Sequence, residues 1–284
     1  MKPLSSKTKA QIWVVESGKV KSFADRLAAE EPLEIRLLEP EETIAVTMRT
    51  PGADFDLVAG FLFNEGIIGD RSDIQQMSYC VDPEIDGEQR QNIVSVALKA
   101  DLRPDLHRLE RHFFTNSACG VCGKANIEAL EIRGFSALPL GLEVSAEVIY
   151  NLPEQLRAAQ NIFQSTGGLH AAAIFERKGE LWKLREDVGR HNALDKLIGS
   201  ALLAGELPLS NSIVMVSGRS SYEILQKCLV AGAPIICAVS APSSLAVSLA
   251  REFNITLIGF LRGNKFNVYS GMERIDTRLN QPLL

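Results

Sequence analysis

Long apolar runs are missing from this 284-residue chain. No window approaches the roughly 18 uninterrupted apolar residues of a membrane span. The opening stretch MKPLSSKTKAQIWVVE also lacks the apolar run of a signal peptide, so cytoplasm is the expected compartment, where thiols stay reduced. Excess positive charge is absent as well. The net charge is −5, which implies no broad basic surface and argues against duplex nucleic acid as a partner. Histidines number only four and cysteines five. An odd cysteine count fits free thiols better than a disulfide framework. Internal repeats and low-complexity tracts are not found either.

What remains is the composition of a soluble globular enzyme, 46% hydrophobic and 23% charged, long enough for one large domain or two moderate ones. The first half reads mostly as strands. Pro32 to Leu38 and Thr43 to Thr50 alternate apolar and polar residues, the period of a half-buried strand. Phe55, Val58, Ala59 and Leu62 fall at helical spacing, with Asp54 as the expected cap. Gln91 to Ala100 is a further strand. Ser145 to Gly168 reads as helical, interrupted at Pro153 and stopped at Gly167-Gly168. From Leu169 the pattern becomes β-β-α-β-α-β-α-β, with a hairpin turn at Lys178-Gly179. Such alternation predicts a three-layer α/β domain with much of its sheet parallel. Overall the expected class is α/β (α+β over the whole chain). A smaller strand-rich domain spans 1–145 and the α/β domain spans 146–284.

This order of elements is that of the cytidine deaminase fold, whose zinc site needs H-x-E or C-x-E on one helix and P-C-x-x-C on the next. Here the first helix opens His191-Asn192-Ala193 and the second SGRSSYE, so both halves of that site are missing. The chain's one C-x-x-C, Cys119 and Cys122 in TNSACGVCGKANIEAL, lies upstream. Zinc would need further ligands, with only His107 and His112 nearby in sequence. Disulfide redox and nucleophilic sulfur chemistry are the other readings, beside a pair of idle thiols. Gly120 and Gly123 suggest a mobile or tightly turned loop, and a helix N-terminus with Lys124 would favour a thiolate. Cys228 and Cys237 read as buried, inert thiols.

Three turns offer sites for an anion. Ser217, Gly218, Arg219 and Ser220 join a buried strand to a helix, where backbone amides, hydroxyls and a guanidinium converge. Arg190 and His191 open another helix. Arg262 and Lys265 flank Gly263-Asn264 after a strand. All fall at strand ends or helix starts, where α/β sheets bind ligands. His170, before a strand of small residues, is either a buried hydrogen-bonding group or a site group, whereas Glu65 reads as structural.

Taken in order, RTPGADFDLVAGFLFNEGII, ACGVCGKA, TGGLHAAAIF, EDVGRHNALDKLIG, SGRSSYEILQK and GFLRGNKFNVYS resemble the FdhD family of formate dehydrogenase accessory sulfurtransferases, from about Leu33 to Gly271. That resemblance implies a zinc-free, deaminase-like C-terminal domain and a tendency to dimerise. It implies a persulfide received from a cysteine desulfurase on Cys119, assisted by Cys122. It further implies delivery of that sulfur to the molybdenum of a bis-molybdopterin guanine dinucleotide cofactor destined for formate dehydrogenase. The family's cofactor-binding segment matches Phe260, Leu261, Arg262, Gly263, Asn264 and Lys265. The competing class is a non-enzymatic chaperone that holds the cofactor or formate dehydrogenase.

Overall fold

A computed structural model describes residues 4–100, 102, 130 and 134–278. Cys119 and Cys122, with His107, His112, Gly120, Gly123 and Lys124, lie outside the described residues.

The chain opens on an antiparallel hairpin, β1 (Lys7–Glu16) and β2 (Lys19–Ala28). Ser17 and Gly18 between them both have positive φ, 49° and 79°. Two such residues give the primed turn whose twist matches paired strands. Next come β3 (Glu31–Leu38) and β4 (Glu41–Arg49), then helix α1 (Asp54–Glu65), β5 (Ile74–Tyr79) and β6 (Ile93–Leu98). The four strands form one sheet in the order β4-β3-β6-β5, with β3 and β6 parallel. Alternation puts Leu33, Ile35 and Leu37 on one face, where they bury with Val94 and Val96 against Leu57, Val58 and Leu62 of α1. Asp54 is not the cap expected of it. Ala53 occupies that position with φ 54°, and the Asp54 carboxylate instead takes two guanidinium N–H groups from Arg49, at 3.0 and 2.9 Å.

After β7 (Val144–Ser145), helix α2 (Ala146–Ala159) continues through Pro153. The expected interruption falls instead at Gln160, before α3 (Asn161–Thr166) and its stop at Gly167, φ 69°. A proline inside a helix costs about 3 kcal/mol. Here Ile149, Leu152 and Leu156 are buried along the same helix, and three buried aliphatic side chains at about 1.5–3 kcal/mol each outweigh that cost.

The larger sheet combines β8 (His170–Glu176), β9 (Leu181–Asp187), β10 (Ser212–Val216), β11 (Ile235–Ala238), β12 (Thr256–Arg262) and β13 (Lys265–Ser270). Its order is β13-β12-β11-β10-β8-β9, and β10, β11 and β12 run parallel. Connecting helices α4 (Arg190–Ala204), α5 (Tyr222–Val230) and α6 (Ser244–Glu252) share a core with Ala172, Val214, Ile236 and Leu257. Helix α2 shares the opposite core with Ala173, Phe175, Met215 and Ile258. The three-layer α/β arrangement is therefore present, beside a smaller strand-rich part. A last strand, β14 (Ile275–Asp276), pairs with β7.

The two parts meet where α1 lies along α4. Asn64 of α1 donates to Asp195 of α4 at 2.6 Å, and Lys227 of α5 donates to the same carboxylate at 2.7 and 2.9 Å. A second junction is built on Asp187, at the end of β9. Its carboxylate faces the Lys196 ammonium at 2.6 Å and accepts the Thr50 backbone N–H at 3.1 Å.

Candidate functional site

The carboxyl ends of β9 to β12 and the amino end of antiparallel β8 lie on one edge of the larger sheet. That edge gathers His170, Arg190, His191 and Ser217–Ser220 from their separate places in the sequence. Ser217 locks onto β8 twice. Its N–H donates to the Ala171 carbonyl and its hydroxyl accepts the Ala171 N–H, both at 2.9 Å. Gly218 sits against both basic residues: a β-carbon there would stand 3.4 Å from His170 Nδ1 and 3.5 Å from Arg190 Cδ. Arg219 is exposed.

The turn carrying Arg190 and His191 is held by Asp187, which accepts the Gly189 N–H at 2.8 Å and the Asn192 side-chain amide at 3.3 Å. Asn192 also donates to the Met48 carbonyl at 2.7 Å. This edge of the larger sheet is thus braced from the smaller sheet.

Helix α5 begins on this edge. Its N-cap, Ser221, makes no side-chain cap hydrogen bond, so the positive end of the helix dipole faces this edge without a hydroxyl cap. Ser220 is fully buried; its backbone N–H donates to Ala241 O at 3.3 Å and its carbonyl accepts Ser243 N–H at 2.9 Å. The Ser220 hydroxyl and Arg190 Nε have no hydrogen-bond partner among the described residues. Both atoms thus lack the partner that buried polar groups nearly always have. His191 Nε2 stands 2.8 Å from the Glu223 carboxylate and 3.5 Å from the Ser221 hydroxyl.

These contacts set the charge states. Burial holds the His170 imidazole below its ordinary range, and the nearby Arg190 and His191 push in the same direction. Its neutral form is favoured. The hydrogen bond from His191 keeps the Glu223 carboxyl below the usual carboxylate range against the effect of burial. Glu223 is a site residue that sequence reasoning passed over. An acidic side chain in the first turn of a helix is the common complement of the dipole and hid its pairing with His191.

A second group lies at the β12–β13 hairpin. Phe260 adopts φ 53° and its N–H donates to the Ser240 carbonyl at 3.2 Å. The strand register slips between Gly259 and Arg262, and Phe260 is 41% exposed. A non-glycine residue in the left-handed region costs about 1–3 kcal/mol and persists where its surroundings enforce it. Here Gly259 lies packed between Tyr269, Pro242 and the Ser240 carbonyl, with contacts of 3.0–3.1 Å to a notional β-carbon. Arg262, Gly263, Asn264 and Lys265 are exposed around the turn. Leu261 differs: its side chain is buried in the core on the α2 side, so only its backbone belongs to the turn. β12 stands two strand spacings from β10, about 10 Å, and the loop between β11 and α6 touches both groups, through Ser243 N–H to Ser220 O and Phe260 N–H to Ser240 O.

Among the described residues, no group of three histidine, cysteine, aspartate or glutamate side chains could hold a metal ion, and no helix is long and apolar enough to cross a membrane.

Comparison with known proteins extends these observations. A profile described as the FdhD/NarQ family matches residues 28–276. A sulfur carrier protein FdhD of Streptomyces coelicolor is 49% identical over 269 residues, which covers 93% of this chain and 94% of that protein. A protein of the same name from Sulfurisphaera tokodaii is 49% identical over 252 residues, 88% of this chain and 92% of its own. Among solved structures, a candidate formate dehydrogenase accessory protein from Desulfotalea psychrophila superposes with a TM-score of 0.74 at 26% identity, covering 96% of this chain and 100% of that one.

Proposed function

The chain belongs to the FdhD/NarQ family, and from that premise we propose that it is a sulfur carrier in formate dehydrogenase maturation, loaded by a cysteine desulfurase. In this reading a thiolate at Cys119 attacks the sulfane sulfur of the donor's persulfide. The donor's S–S bond breaks, a new S–S bond forms on Cys119, and the donor cysteine leaves as thiolate. Cys122, three residues on, assists as a second thiol. The Cys119 S–S bond then breaks, Cys119 leaves as thiolate, and the sulfur passes to the molybdenum of bis-molybdopterin guanine dinucleotide, bound as substrate, with the two electrons that make it sulfide supplied by the reduced metal of that substrate. The working unit is a homodimer.

The observation that carries the cofactor half of this reading is the pair of basic, polar groups on one sheet edge. A guanine dinucleotide brings phosphates and a purine. The positive end of the α5 dipole with Arg190 and the exposed Arg219 suits a phosphate. Arg262 and Lys265 suit another, and the exposed Phe260 ring offers an aromatic face to a base. The strands that carry the two groups lie about 10 Å apart, within the span of a dinucleotide. Neutral His170 adds a hydrogen-bonding group without a further charge.

The test is an intact-mass measurement after incubation with a cysteine desulfurase and cysteine. An adduct of one sulfur atom that is lost in Cys119→Ala and retained in Cys122→Ala supports the relay. No adduct in the wild-type protein refutes it and leaves a chaperone that only holds the cofactor.

A further inference from the structure

The β1–β2 hairpin takes no part in the site. Cross-strand partners share a face, so Trp13, Val15 and Val20 lie on one side of the ribbon and Ile12, Val14 and Phe23 on the other. Trp13 is 70% exposed, Val15 69% and Val20 62%. The ribbon is apolar on both sides, and the body of the chain leaves its outer end uncovered. Among the described residues, only the base is tied down, through Ala29 N–H to Ser6 O at 2.9 Å, Leu4 N–H to Gln91 Oε1 at 3.1 Å and Lys7 Nζ to Asn161 O at 3.5 Å. A lone two-stranded ribbon is marginally stable in water, and a contiguous exposed apolar patch marks an interaction surface.

Charge indicates what covers it. The hairpin carries Lys7, Lys9, Lys19, Lys21 and Arg26 against Glu16 and Asp25, in a chain whose net charge is −5. Everything outside the hairpin is therefore strongly acidic. One dense acidic run is the loop after β5, where Asp82, Glu84, Asp86 and Glu88 alternate with other residues and Val81 is 81% exposed. Arg90 is held by the Ile85 and Pro83 carbonyls at 2.7 and 3.0 Å rather than by these carboxylates. The ribbon itself has a concavity of about 320 Å³ between Val14, Phe23, Lys19, Lys21 and Glu16. The loop is rooted beside the hairpin, since Gln91 holds Leu4.

We infer that the hairpin is an arm that clasps a second copy of this chain and lies on that copy's acidic loop. The exchange is reciprocal about a two-fold axis, the commonest symmetry of homo-oligomers. Two ten-residue strands with the loop Val81–Glu88 fall in the range of about 20–30 residues a side that a standard interface uses. The inference rests on the homodimer part of the proposed function and adds the surface that forms it.

The test is the mass in solution by light scattering at micromolar concentration, on the full chain. The wild-type protein is expected at twice 31.1 kDa. Reversing the arm (Lys19→Glu with Lys21→Glu) or the loop (Asp82→Lys with Glu84→Lys) is expected to give monomer, and all four substitutions together to restore the dimer. Trp13→Ser with Val15→Thr and Val20→Thr, changes confined to exposed side chains, should raise the dimer dissociation constant at least tenfold with an unchanged circular dichroism spectrum. A dimer that survives either reversal overturns the arm and leaves the homodimer standing. A wild-type monomer overturns both, and co-sedimentation of that monomer with phosphatidylglycerol vesicles would assign the arm to a lipid surface instead. A four-substitution chain that stays monomeric also overturns the pairing of arm with loop.

Discussion

Gly60 of α1 and Gly199 of α4 touch backbone to backbone: a β-carbon on Gly199 would stand 2.5 Å from the Gly60 nitrogen, and one on Gly60 would stand 2.9 Å from the Gly199 nitrogen. No side chain separates the helices there, and the two parts of the molecule approach as closely as helices can. The obstructing atoms are main chain and cannot rotate away. Gly60→Ala or Gly199→Ala should therefore destabilise by about 2–3 kcal/mol, although alanine is the better helix former by about 1 kcal/mol. Gly141→Ala, with open space around the new methyl, should be close to neutral. Urea midpoints at constant slope decide this.

Lys196 and Asp187 form a buried ion pair at 2.6 Å, with Lys196 also donating to the Thr50 carbonyl at 2.7 Å. Lys196→Met leaves a buried carboxylate short of its strongest partner and should cost about 3–5 kcal/mol. Adding Asp187→Asn should recover part of the loss, because the buried charge goes; the one amide oxygen can still accept the Gly189 N–H at the Oδ1 position, while the Thr50 N–H loses its Oδ2 acceptor. Chemical denaturation of the single and double variants measures it.

His170 titrates below its ordinary 6.5, from burial and then from Arg190 and His191. A group whose folded pKa is depressed adds stability that is full above the unfolded value and is lost as pH falls through the folded one. Stability should therefore decline as pH drops below about 6.5, and the decline should be shallower in His170→Asn. Arg190→Gln should move the His170 midpoint upward. Imidazole proton shifts are practical to follow, since the chain has four histidines.

Burial pushes the Cys228 thiol up to about 12 and that of Cys237 higher still. Neither forms thiolate near neutral pH, so neither competes for sulfur. In the native protein at pH 8, iodoacetamide should leave both unmodified, and denaturation should expose both. Peptide mass mapping reads the sites.

Arg262 and Lys265 flank the β12–β13 turn as exposed cations. A charge-assisted hydrogen bond contributes about 1.5–3 kcal/mol. Arg262→Ala should thus weaken binding of GDP, used as a probe of the cofactor's nucleotide end, by about tenfold or more. Calorimetric titration gives the change.

Much of the larger sheet was legible because its strands are continuous apolar runs between helices with one apolar side, and Lys178-Gly179 punctuates its hairpin. The anion-suited turns were legible for the same reason, as they follow buried strands directly. Other features were not. Trp13, Val15 and Val20 share one face while Val14 and Phe23 share the other, so β1 and β2 present no single apolar side to read. Pro153 signals a break that burial of Ile149 and Leu152 overrides. Asp54 reads as a cap by its place before an apolar run, and only the fold brings Arg49 to it. Glu223 reads as an ordinary first-turn acid until His191, 32 residues earlier, arrives beside it. Gly60 and Gly199 look like weaknesses in two helices until the helices cross.

The Asp187 junction has a consequence for how such chains can be recombined. Its carboxylate and Lys196 come from the second half of the sequence, whereas Thr50 N–H and O and the Met48 carbonyl that engage Asp187, Lys196 and Asn192 come from the first. A chimera spliced between relatives near residue 145 inherits half of that seam from each parent. It should keep the turn bearing Arg190 and His191 in shape only when the Thr47–Asp56 stretch is transplanted along with the larger sheet.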